Sequence, residues 1–133
     1  MKLFLFILLL TFSYGQKQIR SIDFDEARQI VETQSGIVVD ARNPKDYDAG
    51  HFPNAINQYA RWRELSDIFT DLKKDQFIMV YCSHNRCPYA DRVAGMLQAS
   101  GFTNLAVYHG GVKDWLDNGY QLITEKKMTK KSG

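Results

Sequence analysis

An α/β fold, with an open, mostly parallel sheet and helices on both faces, is what this sequence predicts. Three observations carry that expectation. Short apolar strands alternate with amphipathic helical segments along the chain. The strands show no apolar/polar alternation, as expected where both faces of a sheet are covered. Asp40, Cys82 and His109 each stand just past a strand end, on the side where such folds gather their ligands.

The chain has 133 residues, enough for one domain. Residues 1–15 read as separate from that domain. Lys2 gives a positive start, an apolar stretch follows from Leu3 to Phe12, and Ser13-Tyr14-Gly15 places small residues at the cleavage positions. This predicts a secretory signal peptide, with Gln16 as the new N-terminus. The apolar stretch is well short of the ~20 residues that span a bilayer, so no stable membrane insertion is expected after cleavage. The protein is expected to be exported, to a periplasm or to the outside. Residues 16–22 read as an N-terminal extension.

The domain itself is expected over 23–123. Asp23 can cap a helix over 24–34, with Glu26 placed for a capping box and Phe24, Ala27, Ile30 and Val31 on one face. Gly36 stops it. Residues 37–39 form a short apolar strand with Asp40 at its end. A polar loop spans 42–51, Pro53-Asn54 turns the chain, and 55–57 is a further short strand. Residues 64–72 predict a helix with Leu65, Ile68, Phe69 and Leu72 as its stripe. The apolar run 77–81 is a strand, and 88–100 is a helix that Pro88 opens and Gly101 ends. Residues 105–108 make the last strand. Gly110-Gly111 turns into a helix over 112–118, whose apolar side carries Val112, Trp115 and Leu116.

Formal net charge is +2, and Lys2 is the only charged side chain in residues 1–15, so the remainder carries +1. Lys126, Lys127, Lys130 and Lys131 form the one basic cluster, in a C-terminal tail over 124–133. It has no interleaved aromatics and no helical pattern, so it predicts a solvated tail and no nucleic-acid partner.

The chemistry concentrates at Cys82, between the strand 77–81 and the helix that Pro88 opens. Helix-start N–H groups and the helix dipole favour negative charge there, and the thiolate is the reactive form of cysteine. Arg86 adds positive charge. Cys87, the second cysteine, lies five positions on in the same loop. A bridge between the two would pin little of the chain, which favours a reactive pair over a stabilising disulfide. Cys87 either resolves an oxidised or sulfur-loaded Cys82 or fills the base of the helix. A metal site from Cys82, His84 and Cys87 would lack a fourth ligand and does not fit zinc spacings, so none is expected.

Several stretches taken together resemble one family. Asp40-Ala41-Arg42, with the run from Asp46-Tyr47 through Gly50-His51-Phe52-Pro53-Asn54-Ala55-Ile56-Asn57, resembles the D-x-R and E-Y-x-x-G-H-I-P-G-A-x-N stretch of the rhodanese-like domain. Residues 77–82 are similar to the strand that carries that family's cysteine, Gly101-Phe102 to the end of the following helix, and Gly110-Gly111 with Trp115 to its G-G-x-x-x-W signature. The resemblance implies a sulfurtransferase. Cys82 would take the outer sulfur of an anionic donor such as thiosulfate or a polysulfide, becoming a persulfide, and a thiol or cyanide would remove it in a second step. It implies that the loop Ser83, His84, Asn85, Arg86 and Cys87 binds the donor. It implies that Asp40 and Arg42 support the loops by pairing, and that no metal or organic cofactor is needed. His51 is expected to bond backbone. The loop departs from common members in its length and in carrying His84, Cys87 and Pro88.

Three other functions compete. One is a thiol–disulfide redox protein using Cys82 and Cys87. Another is a non-catalytic binding module. A phosphatase or arsenate reductase would need an arginine six positions after the cysteine, where this chain has Pro88.

Overall fold

A computed structural model describes residues 18–125. The expected signal segment and most of the basic tail lie outside the described residues. The order of elements is β1 (Arg20–Ile22), α1 (Phe24–Thr33), β2 (Ile37–Asp40), α2 (Pro44–Ala49), β3 (Ile56–Asn57), a 3-10 turn (Asp67–Phe69), β4 (Ile78–Tyr81), α3 (Tyr89–Ala99), β5 (Leu105–Tyr108) and α4 (Gly111–Asp117). The five strands form one sheet in the order β1-β5-β4-β2-β3, and every pairing in it is parallel.

Helices cover both faces. Alternate residues of β4 divide between two cores: Ile78 and Val80 pack with Val93, Ala94 and Leu97 of α3, while Met79 and Tyr81 pack with Ile30 of α1 and Trp115 of α4. The second core is aromatic. Phe52 stacks on Tyr81 with centroids 3.7 Å apart and on Trp115 at 4.4 Å. Both faces of β4 and β5 are fully covered, which is why neither strand shows a polar alternation.

Local chemistry explains most boundaries. The Asp23 carboxylate accepts the Glu26 N–H at 3.0 Å. Only half of the capping box forms, because the Glu26 carboxylate is taken by Arg20 at 2.8 Å. α1 closes at Gln34, itself in a left-handed conformation (φ 52), two residues before the glycine expected to stop it.

Four expectations are corrected. Residues 20–22, read as extension, are an edge strand paired with β5. The polar loop over 42–51 contains α2, which Asn43 caps by accepting the Asp46 N–H and Pro44 opens at its first turn. The helix expected over 64–72 shrinks to one 3-10 turn. The Gln58 side chain, fully buried, accepts the Ser66 N–H at 2.8 Å and donates to the Glu64 carbonyl at 3.1 Å, the acceptor that a helix from 64 would offer to residue 68. Leu116, assigned to the apolar side of α4, is 48% exposed, while Trp115 is 2% exposed.

Asp40 and Arg42 tie the loops beneath the mouth of the sheet. Both are buried, and Arg42 Nη2 lies 2.7 Å from Asp40 Oδ2 and 2.6 Å from the Gly50 carbonyl. The Tyr81 hydroxyl donates to the same carboxylate at 2.6 Å and accepts the Phe52 N–H at 3.0 Å. Burial, then the charge and hydrogen bond of Asp40, hold the Tyr81 hydroxyl well above its ordinary range. Burial and Asp114 push Tyr108 up as well. For Arg42 burial acts downward, but the hydrogen bond and charge of Asp40 outweigh it and raise the guanidinium.

A raised tyrosine means that the folded state keeps its proton longer than the unfolded chain. The stability this contributes is whole below about pH 10 and is lost as pH rises beyond it. Tyr81→Phe leaves the buried Phe52 N–H unpaired and is expected to lower the unfolding free energy at neutral pH by about 1–3 kcal/mol. It should also flatten the alkaline loss. Urea unfolding of both proteins at neutral pH and above pH 10 measures both effects.

Candidate active site

β4 delivers Cys82 to the carboxyl edge of the sheet one residue past Tyr81. Tyr81 is in register with Asp40 of β2 and Tyr108 of β5. Cys82 and His109 therefore follow neighbouring strands at the same level. Asp40 sits one level lower, fully buried. The structure thus brings Cys82 and the His109 turn together and keeps Asp40 out of the mouth.

The first turn of α4 grips the loop from behind. The Val112 N–H donates to the Cys82 carbonyl at 3.0 Å and the Lys113 N–H to the Ser83 carbonyl at 2.9 Å. Such an approach requires glycine at 111, whose φ of +62 is unfavourable for other residues. A Cβ there would overlap the Cys82 carbonyl oxygen and lie 3.1 Å from the Ser83 carbonyl carbon. The pair Gly110-Gly111 was read from sequence as a tight turn. Its second role, bringing two helix-start amides against the loop, needs the three-dimensional neighbour and has no local signal.

In front, the loop folds over its own cysteine. Cys82 and Cys87 form a disulfide, with Cα atoms 6.3 Å apart. A compact turn carries Cys87 across: its N–H donates to the His84 carbonyl at 3.1 Å, and the Arg86 N–H donates to His84 Nδ1 at 3.1 Å. Cys82 is 3% exposed and packs at the edge of the α3 core, whereas Cys87 is half-buried. Ser83 Oγ is 3.7 Å from Cys82 Sγ.

The amides of Arg86 and Cys87 are engaged by His84, and those of Val112 and Lys113 by carbonyls. The Cys82 sulfur is occupied by its bond to Cys87. His84, Asn85 and Arg86 are exposed. Residues 83–87 include no carboxylate, and Arg86 makes no ion pair with the described residues, so the loop presents positive charge outward. α3 starts at Tyr89 with no side-chain cap on its first amides, directly after the second cysteine. Its dipole adds to the positive potential at the loop.

Other features sort around this centre. His109 joins β1 to α3, with Nδ1 2.9 Å from Ser21 Oγ and Nε2 2.9 Å from Asp91 Oδ1. The sequence places His109 past a strand end at the mouth, but its partners, 88 and 18 positions away, carry no local signal. His51 is 2% exposed, stacks on Tyr47, and places Nδ1 2.8 Å from the Phe52 carbonyl, which is the backbone role expected of it. A cleft of about 360 Å³ beside the loop is lined by Asn85, Gly110, Lys113, Asp114 and Asp117. A second, of about 370 Å³, lies at the opposite end of the sheet against Gly36, Ile37 and Gln76, away from either cysteine.

Known proteins are similar to this chain in sequence or in fold. The sequence pattern of the rhodanese-like domain matches residues 23–118. Two tRNA uridine(34) hydroxylases of Staphylococcus aureus, strains RF122 and JH9, are 34% identical over 92 and 96 residues, 65% of this chain. The chain spans only 28% of the length of those relatives. A human single-domain sulfurtransferase superposes with a TM-score of 0.63 at 16% identity, covering 75% of this chain and 97% of that one. A single-domain sulfurtransferase from Saccharomyces cerevisiae gives 0.64 at 22%, covering 80% and 95%. At these identities the two structures share the fold.

Gly111→Ala is expected to destabilise the protein by about 1–3 kcal/mol through strain at a positive φ. It should also displace residues 82–83 and slow any reaction of Cys82. Gly95→Ala, at an open site on α3 with nothing within 4 Å, is expected to stabilise by about 0.5–1 kcal/mol. Thermal unfolding and the rate of Cys82 alkylation after reduction check the pair.

Proposed function

The chain belongs to the rhodanese-like domain family, and from that premise we propose that it moves a sulfane sulfur through a persulfide on Cys82. The donor is a small anion of the thiosulfate or polysulfide type, and the acceptor is a thiol or cyanide. The observation that carries this reading is the setting of Cys82. It stands past a buried strand, at the head of a loop held by α4 and bearing Arg86 with no carboxylate.

The chemistry proceeds in two displacements. With the disulfide open, the Cys82 thiolate attacks the outer sulfur of thiosulfate, and sulfite leaves with the electron pair of the broken S–S bond. An acceptor thiolate then attacks the outer sulfur of the persulfide, and Cys82 leaves as thiolate, restoring the enzyme. Arg86 and the first amides of α3 offset the charge of the arriving dianion. Ser83, His84 and Asn85 complete the loop that faces the donor, and Asp40 with Arg42 hold its foundation. No metal or organic cofactor enters either step. Hydroxylation of tRNA belongs to relatives of which this chain matches 28%, and it forms no part of this proposal.

We place the protein outside the cytoplasm, on residues 1–15 as a cleaved leader. In an oxidising compartment the Cys82–Cys87 disulfide is a persistent state. That disulfide favours a second reading, a thiol–disulfide redox protein using the same pair. The two readings part on one measurement. Reduced Cys87→Ser protein, in which the redox pair is removed, should gain one sulfur from thiosulfate by intact mass, lose it to cyanide, and gain none once Cys82→Ser is added. Protein that releases no sulfite from thiosulfate, with Cys87 present or replaced, yet in its wild-type form exchanges disulfides with a reduced partner would support the redox reading instead. Purified exported protein should begin at Gln16, and N-terminal sequencing checks that.

A further inference from the structure

The sulfur-transfer reading leaves Cys87 without a task, and the structure has already bonded it to the nucleophile. As a stabilising device the bridge does little. It closes a ring of five-residue separation, and so short a loop gains little from chain entropy compared with the long loops that disulfides stabilise best. Both ends of that ring are tethered without it. The carbonyls of Cys82 and Ser83 are held by α4, and Cys87 runs into α3 through Pro88. The turn over 84–87 brings the second sulfur onto the first and leaves it the more exposed of the two.

We propose, resting on the persulfide reading, that Cys87 is a resolving thiol that discharges the carried sulfur as sulfide. The Cys87 thiolate attacks the inner sulfur of the Cys82 persulfide. A Cys82–Cys87 bond forms, the bond between Cys82 and the outer sulfur breaks, and the outer sulfur leaves with that electron pair as hydrosulfide. The sulfane sulfur is reduced by two electrons and the two cysteines are oxidised to the disulfide seen in the structure. Summed with loading, one thiosulfate and two thiols give sulfite, hydrosulfide, a proton and a disulfide.

The cycle then needs a dithiol reductant, and the burial pattern says where it acts. Cys82 is 3% exposed while Cys87 is half-buried, so an incoming thiolate reaches the Cys87 sulfur. Cys82 departs as the thiolate ready for the next donor, and the second thiol of the reductant frees Cys87. The partner is therefore a protein or small-molecule dithiol, and the reaction upstream is one that produces thiosulfate or polysulfide.

The test uses full-length protein reduced with a dithiol, freed of it without air, and mixed with a modest excess of thiosulfate. Wild type is expected to release sulfite and sulfide in equal amounts and to end as the disulfide with no added sulfur. Cys87→Ser is expected to release sulfite, stop at the persulfide, and form sulfide at least ten-fold more slowly. Cyanide should then recover its sulfur as thiocyanate, which also shows that the variant's site is intact. Wild type that holds its added sulfur with Cys87 still free would overturn the resolving role while leaving the persulfide reading standing. So would Cys87→Ser releasing sulfide at the wild-type rate. Sulfite from neither protein would overturn the persulfide reading, and this step with it.

Discussion

Two main-chain hydrogen bonds organise the reactive end of this protein. The amides of Val112 and Lys113 hold the carbonyls of Cys82 and Ser83. A helix start normally offers its free amides to an anion or a cap. Here two of them fix the position of a backbone, and the side chain of Cys82 is located as a consequence. Gly111 is the condition for it, since any side chain there would intrude on the Cys82 carbonyl. Everything ahead of that clamp, from His84 to Cys87, is free to change state while Cys82 stays where β4 put it.

The platform behind the clamp is rigid for separate reasons. β4 is buried on both faces, and its last residue, Tyr81, stacks on Phe52 and bonds Asp40. Arg42 completes a buried cluster that joins β2, β4 and the carbonyl of Gly50. Breaking one member of a buried pair of this kind typically costs about 3–5 kcal/mol, because the remaining charge has no water to return to. The motif residues Asp40 and Arg42 are thus buried and paired in the platform behind the loop.

Much of this was legible in the residues. Unalternating apolar runs gave β2, β4 and β5, and Asp23 marked the start of α1. The same runs placed Cys82 and His109 at the carboxyl edge of the sheet, whereas Asp40 lies one level lower, buried. What sequence could not supply were interactions made by distant partners. β1 is a strand because β5 offers it an edge, not because Arg20-Ser21-Ile22 demands it. The stripe over 64–72 has helical spacing, yet a buried Gln58 takes the backbone groups at 64 and 66. α2 did carry a local signal, Asn43 before Pro44, that a reading of polar composition overlooked. At the candidate site, the position of Cys82 between a strand and a helix could be read from the sequence, with Arg86 and Cys87 in the loop that follows. The sequence also put helix-start amides near that cysteine, but could not show that two amides of α4 hold the Cys82 and Ser83 carbonyls.

The most direct measurement is site-resolved hydrogen exchange on the oxidised and the reduced protein. The clamp predicts that the amides of Val112 and Lys113 stay protected in both states, while those of Arg86 and Cys87 lose protection once the disulfide opens. Loss of protection at 112 and 113 together with 86 and 87 would contradict it, because the cysteine would then move with its loop.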